Sequence, residues 1–250
     1  MKTVLGESLN RSAVEVQIDQ RLYALQNELL PQMGPHWNLH ANLFVKRTSL
    51  SRILYFNRLY SLLLNVPGVI CEFGVQWGAS LALLANLRAM YEPYNYSRKI
   101  IGFDTFSGFD TVDQKDGSEV AQGDYASTHL FEEKLEEIMQ LHEGLAPIAH
   151  IKKFELVKGN ASVTTPEWLA ANPHAVISMA IFDMDVYQPT KDVLACILPR
   201  LVKGSVLVFD ELNCAKFPGE TLALTEVLGL NNLRLQRDPH QPFCAWAVWE

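Results

Sequence analysis

Hydrophobic and polar positions along this chain follow first one period and then two. Between residues 12 and 30, Ile18, Leu22, Leu25 and Leu29 recur at the spacing of one helix face. Pro31 and the run Met33-Gly34-Pro35-His36-Trp37 end that pattern. A second amphipathic helix is expected from about Ser49, which suits an N-cap, with Ile53, Leu54, Tyr60, Leu63 and Leu64 on its apolar side. Asn65, Pro67 and Gly68 stop it. No strand-like run interrupts this stretch. Residues 1–65 are therefore expected to form an N-terminal helical extension, a lid packing on a main domain of residues 66–250.

From residue 69 the pattern changes to short apolar runs alternating with helical ones. Strands are expected over 69–73, 99–103, 154–157, 176–182 and 205–209. Helices are expected from about Ser80 to Met90, over 131–141, around Pro166, Trp168 and Leu169, and over 191–201 and 221–228. Two closing apolar runs, near 233–235 and 243–249, suit an antiparallel hairpin at one edge. Such alternation specifies an α/β fold: a Rossmann-like, mostly parallel sheet with helices on both faces. Segment 105–129, rich in Gly, Asp, Ser and Thr, is too long for an ordinary connection and reads as a mobile or functional loop.

Ligands of such sheets bind at the carboxyl ends of the strands. Here those ends fall at Glu72, Asp104, Gly159, Asp183 and Asp210, all acidic but one. In the run from Val69 to Ser80, a strand leads through Gly74 and Gly78 into a helix headed by Ser80. The glycines are separated by Val75-Gln76-Trp77, which is not the dinucleotide spacing. A carboxylate at this strand end repels a pyrophosphate and suits a cation, which points away from NAD and towards S-adenosylmethionine. Glu72 could then meet its amino-acid part or order nearby water, the glycines would let the backbone approach it, and Asp104 could accept its two ribose hydroxyls. The blander alternatives are a tight turn and a turn-forming Asp.

Asp183, Asp185, Asp210 and Glu211 are the sharpest feature. Neighbouring strands end in paired acids, and carboxylates converging in a cleft repel unless something positive lies among them. Mg²⁺ favours such oxygens. Asp183 and Asp210 directly end their strands; solvated loop acids or helix caps are the alternative. His36, His40, His129 and His142 read mostly as surface residues, with His129 closing the long loop. Trp37 and Tyr125 could line an acceptor pocket.

Composition narrows the class. The chain has 250 residues, 48% of them hydrophobic, enough for one α/β domain with an extension. A net charge of −7 with scattered Lys and Arg argues against nucleic acid as a partner. No apolar run approaches a membrane span, and the first residues lack the apolar stretch of a secretion signal. Cys71, Cys196, Cys214 and Cys244 form no CxxC pair and no disulfide framework, so a cytoplasmic setting is expected. The expected partner is a small molecule; a homo-oligomer stays open.

The motifs then carry a resemblance. Val66-Pro67-Gly68, Glu72-Phe73-Gly74-Val75, GFDTFSGF over 102–109, DMDVYQPT over 183–190 and Phe209-Asp210-Glu211 are similar to the macrocin O-methyltransferase family of class I S-adenosylmethionine-dependent methyltransferases. The match runs from about Arg47 to Gly219, and the later half also looks like catechol O-methyltransferase. The resemblance implies a Mg²⁺-dependent enzyme that methylates a hydroxyl of a sugar or another small natural product. It assigns Glu72, Gly74 and Gly78 to the methionine part and Asp104 to the ribose, with Ser80 also among the cofactor-binding residues. It gives Gly159, Asn160, Ala161 and Ser162 to the adenine rim, and Asp183, Asp210 and Glu211 to the metal, with Asp183 also bordering the cofactor. Glu211 stands where relatives carry Asp or Asn, the segment 212–218 is longer, and the N-terminal third matches weakly, so the acceptor does not transfer. Asp185 is the expected general base, with His129 the alternative. The rival readings are a metal-independent small-molecule methyltransferase and a non-catalytic S-adenosylmethionine-binding partner in a biosynthetic complex.

Overall fold

The computed structural model describes residues 12–250; the first residues, read above for a secretion signal, lie outside the described residues up to 11. The chain forms two compact units that divide between Leu54 and Tyr55.

In the first unit, helix α1 (Ala13–Leu29) opens with a capping box. The Ser12 hydroxyl accepts the Glu15 N–H at 3.3 Å, and the Glu15 carboxylate accepts the Ser12 N–H at 2.7 Å. A 3₁₀ segment, Leu30–His36, breaks at Gly34, whose φ of 59° is left-handed. The short α2 (Trp37–His40) follows, then a 3₁₀ turn, Ala41–Phe44. Helix α3 (Arg47–Leu62) carries the division between units, because Tyr55, Phe56, Leu59 and Tyr60 in its second half are fully buried in the second unit's core.

The second unit alternates as expected: β1 (Val69–Phe73), α4 (Ala79–Tyr91), β2 (Ile100–Asp104), α5 (Phe131–Leu145), β3 (Phe154–Lys158), α6 (Ala161–Ala171), β4 (Ile177–Phe182), α7 (Tyr187–Ile197), β5 (Leu201–Phe209), α8 (Pro218–Val227), β6 (Gln236–Arg237) and β7 (Ala245–Val248). The strand order is β3-β2-β1-β4-β5-β7-β6. The first five run parallel, and β7 pairs antiparallel with both β5 and β6, forming an edge hairpin whose first strand is Gln236–Arg237 and not the expected run 233–235.

Strand register aligns the strand ends. Phe103, Phe73, Phe182 and Phe209 are partners across β2, β1, β4 and β5, and their rings stack in a row at 4.9, 5.6 and 5.2 Å. All four are essentially inaccessible to solvent. Each buried ring contributes about 2–3 kcal/mol of apolar transfer. The residues that follow them are Asp104, Gly74, Asp183 and Asp210, so this apolar floor holds three acidic residues level along one sheet edge.

A buried ionic network braces the opposite side of the unit. Glu143 pairs through Oε1 with Arg88 and through Oε2 with Lys153 at 2.7 Å, and all three side chains are at most 5% exposed. Arg88 also donates to the Lys153 carbonyl, and the Lys153 ammonium to the carbonyls of Ile148 and Ile151. Glu143→Ala strands two buried cations and is expected to cost about 3–5 kcal/mol. Equilibrium unfolding in urea measures it; a loss below about 1 kcal/mol would show that the two cations are satisfied without Glu143.

Candidate active site

The turn after β1 is built on two glycines in left-handed conformations. Gly74 has φ 92°, and a Cβ there would lie 1.9 Å from the Asp183 carbonyl oxygen. Gly78 has φ 75°, and its Cβ would fall 2.3 Å from Leu135 Cδ1. The close approaches that demand glycine are therefore to the protein's own chain, where the sequence suggested a ligand. Asp104 organises the same turn. Its Oδ2 accepts the N–H groups of Val75 at 2.6 Å and Gln76 at 2.8 Å, and its Oδ1 accepts that of Phe106 at 2.5 Å. Three of a carboxylate's roughly four acceptor positions are thus used by backbone. Glu72, one residue before the end of β1, is 2% exposed and lies on the sheet face opposite Phe73. Ser80 is buried in the first turn of α4.

At the far side of the apolar floor stand the paired acids. Asp183 leaves β4 with its N–H on the Phe73 carbonyl at 2.8 Å, and Asp210 leaves β5 with its N–H on that of Phe182 at 3.1 Å. Asp185 has φ 62°, held in the turn that leads into α7. Three groups that the sequence did not single out brace this set. Glu220, in the first turn of α8, is wholly buried and accepts the Glu211 N–H at 3.0 Å. Burial, then the charges of Asp210, Asp185 and Asp183, raise its carboxyl pKa well above the ordinary range. The Cys244 thiol lies 3.1 Å from Asp210 Oδ1. Burial, then a hydrogen bond to Glu211, pushes the Cys214 thiol up.

Tyr125 reports on the same acids from the long loop. Burial, then the charges of Asp185, Glu211, Asp124 and Asp183, raises its phenol well above the usual value. One phenol and one carboxyl, from different segments, therefore both feel the charges of Asp183 and Asp185. Among the described residues, no group of three or more His, Cys, Asp and Glu side chains stands in an arrangement that could hold a metal ion. In donor chemistry the set still fits a hard divalent cation, since it consists of carboxylate oxygens whose mutual repulsion a cation would relieve.

The loop from 105 to 130 is anchored at several points. Asp116, 8% exposed, accepts the Tyr187 N–H at 2.7 Å and the Asp113 N–H at 2.7 Å. It thereby caps α7 from more than seventy positions away in sequence, which explains why α7 begins at Tyr187 and not near 191. The Asp116 carboxyl is pushed up mainly by burial, against the pull of these two N–H groups. The Lys115 ammonium donates to the Tyr187 hydroxyl at 2.8 Å and pairs with Glu226. Asn160 caps α6 by accepting the Ser162 N–H at 2.9 Å and donates to Asp110 of the loop at 2.8 Å. Gly159 donates its N–H to the Asp104 carbonyl at 2.8 Å, and Ala161 is buried behind it. His129 is exposed at the end of the loop, near Glu132. Trp37 is exposed in the first unit.

A mostly parallel sheet with acids along its carboxyl edge and a glycine turn after its first strand defines a Rossmann-like fold that takes its ligands at that edge. The methyltransferase domain family matches residues 71–212, and the chain belongs to it. It is an S-adenosylmethionine-dependent methyltransferase. Among solved structures it is similar to CalS11, a calicheamicin methyltransferase, at 40% identity, 96% coverage of this chain and 94% of that one, and a TM-score of 0.89. The apo structure of CalS11, a TDP-rhamnose 3′-O-methyltransferase of calicheamicin biosynthesis, gives 38% identity, 96% coverage of both chains and a TM-score of 0.81. The O-methyltransferase NovP, at 18% identity, 79% coverage of both chains and a TM-score of 0.57, shares the fold. No curated protein gives a significant match. No helix among the described residues is long and apolar enough to cross a membrane.

Proposed function

We propose that this enzyme transfers a methyl group to a hydroxyl of a sugar in natural-product biosynthesis, as the macrocin-type resemblance implies. The acceptor is a sugar carried on a nucleoside diphosphate, the kind of acceptor CalS11 uses. The observation that carries the reading is the strand register that sets Asp183 and Asp210 at neighbouring carboxyl ends of β4 and β5, with Asp183 and Asp185 acting on both Tyr125 and Glu220.

Glu72, Gly74 and Gly78 would bind the methionine part of the cofactor, Asp104 the ribose, and Gly159, Asn160, Ala161 and Ser162 the adenine rim, with Ser80 also on the cofactor. The sulfonium supplies the methyl group, and Mg²⁺ held by Asp183, Asp210 and Glu211 would lower the pKa of the acceptor hydroxyl. That donor, when bound, would give up its methyl carbon to the acceptor oxygen with its sulfur as leaving group, so the chain's own work is alignment and proton removal. Asp185 takes the proton from that hydroxyl. His129 is less favoured because it stands exposed beside Glu132. Tyr125, kept protonated, can donate a hydrogen bond across the site.

One observation favours a second reading, transfer without a metal: the acids do not stand as a ligand set in the described structure. Purified protein incubated with labelled S-adenosylmethionine and a TDP-deoxysugar, with and without EDTA, tests both. The expected result is a methylated sugar, with turnover abolished by EDTA and restored by Mg²⁺. Full turnover in EDTA would leave the metal-free route, and no transfer to any nucleotide sugar would remove the acceptor assignment.

A further inference from the structure

We propose that Lys216 receives the diphosphate of the acceptor, which makes a nucleoside diphosphate sugar, not a neutral glycoside, the substrate class of this site. The inference rests on the transferase reading above and adds the residue that selects the acceptor. Lys216 lies between β5 and α8, at the same carboxyl edge as Asp210 and Glu211. Its ammonium nitrogen is buried and has no hydrogen-bond partner, and no other Lys or Arg among the described residues has a side-chain nitrogen in that state.

The other lysines near this edge are already neutralised. Lys115 pairs with Glu226 and donates to Tyr187, and Lys191 reaches Glu226 and the Tyr187 hydroxyl, each at 2.9 Å. The nearest compensation for Lys216 is the Phe217 ring, whose centroid is 5.3 Å away. A ring at that distance offsets only part of the cost of a buried charge. The position is also fixed. A Cβ on Gly117 would lie 1.9 Å from the Lys216 carbonyl oxygen, so the long loop closes directly on this backbone.

A buried, unpartnered cation calls for an anion, and in a chain of net charge −7 it provides a local positive point for an anionic acceptor. The groups around it suit such a ligand. Phe217 meets Tyr125 edge-on at 6.1 Å, and the Tyr125 phenol feels Asp185, Glu211 and Asp183. The cation thus lies by one ring of an aromatic pair, and the acids that would take the hydroxyl act on the other. A sugar nucleotide presents its hydroxyls at one end and its diphosphate beside the anomeric carbon. A lysine serves such a group as a point charge.

Calorimetric titration of thymidine diphosphate into wild type and Lys216→Met, each saturated with S-adenosylhomocysteine, tests the proposal. Affinity is expected to fall about 10- to 100-fold in the variant. KM for a TDP-deoxysugar should rise with it while kcat moves far less, and Lys216→Arg should recover part of the affinity. S-adenosylhomocysteine affinity serves as the folding control and should stay within about threefold. Equal binding of thymidine diphosphate by wild type and Lys216→Met overturns the role of Lys216 and leaves the transferase reading standing. A wild type that ignores thymidine diphosphate but methylates a neutral glycoside overturns the acceptor class as well.

Discussion

Asp183→Asn is expected to lower the rate of methyl transfer by about 10²- to 10³-fold, the scale of removing one preorganised electrostatic contact. Binding of S-adenosylhomocysteine should change by less than about threefold, because one isosteric change removes a charge without moving the chain. The Asp183 N–H stays on the Phe73 carbonyl, and the apolar floor of Phe73, Phe182 and Phe209 is untouched. The side chain, however, exchanges an acceptor oxygen for a donor NH₂ in a set where the reaction needs negative charge. Single-turnover kinetics with calorimetry on the same preparations separates the two quantities. Loss of cofactor affinity in place of rate would move Asp183 from the acceptor side to the donor side.

Gly74→Ala is expected to cost about 3–5 kcal/mol of stability, the range reached when a backbone position has no room. The new Cβ would sit 1.9 Å from the Asp183 carbonyl oxygen and 2.5 Å from its carbonyl carbon. Those are backbone atoms held by the sheet, so no side chain can swing aside. A φ of 92° adds strain for any residue with a Cβ. Relief requires β1 and β4 to part at their ends, which displaces Asp183. Activity should therefore fall even under conditions where the variant stays folded. Urea unfolding and a folded-state activity assay read the two effects. A variant within about 1 kcal/mol of wild type would show that the turn can relax without moving Asp183.

The sheet was legible in the sequence because the parallel strands carry short, mostly apolar runs and three of them stop at an acid: Phe103-Asp104, Phe182-Asp183 and Phe209-Asp210. A change from buried to hydrated within one residue marks a strand end clearly. Element starts were less legible. Helix α7 begins at Tyr187 because its cap is Asp116, and β5 begins at Leu201 although Lys203-Gly204 reads as a helix ending. The division inside α3 is hidden for a similar reason, since an unbroken helical period gives no sign of where burial begins.

The site followed the same rule. Residues that act from a strand end, such as Asp183 and Asp210, announce themselves by position. Glu220, Cys244, Cys214 and Lys216 matter through what they meet in space. Glu220 reads in sequence as an acidic residue in the first turn of a helix, where it would favour the helix dipole from the surface. Only the fold turns it inward to the Glu211 N–H. The roles of the glycines were half legible: the need for Gly74 and Gly78 was clear, but their partners, Asp183 and Leu135, were not.

The measurement that bears most directly on the shared acidic site is a calorimetric titration of Mg²⁺ into the enzyme saturated with S-adenosylhomocysteine, run in parallel on wild type, Asp183→Asn and Asp210→Asn. The expected result is one saturable site in wild type that is lost or severely weakened in both variants. Binding that is equal in all three proteins, or absent from an active wild type, would contradict the assignment of these carboxylates to a common cation.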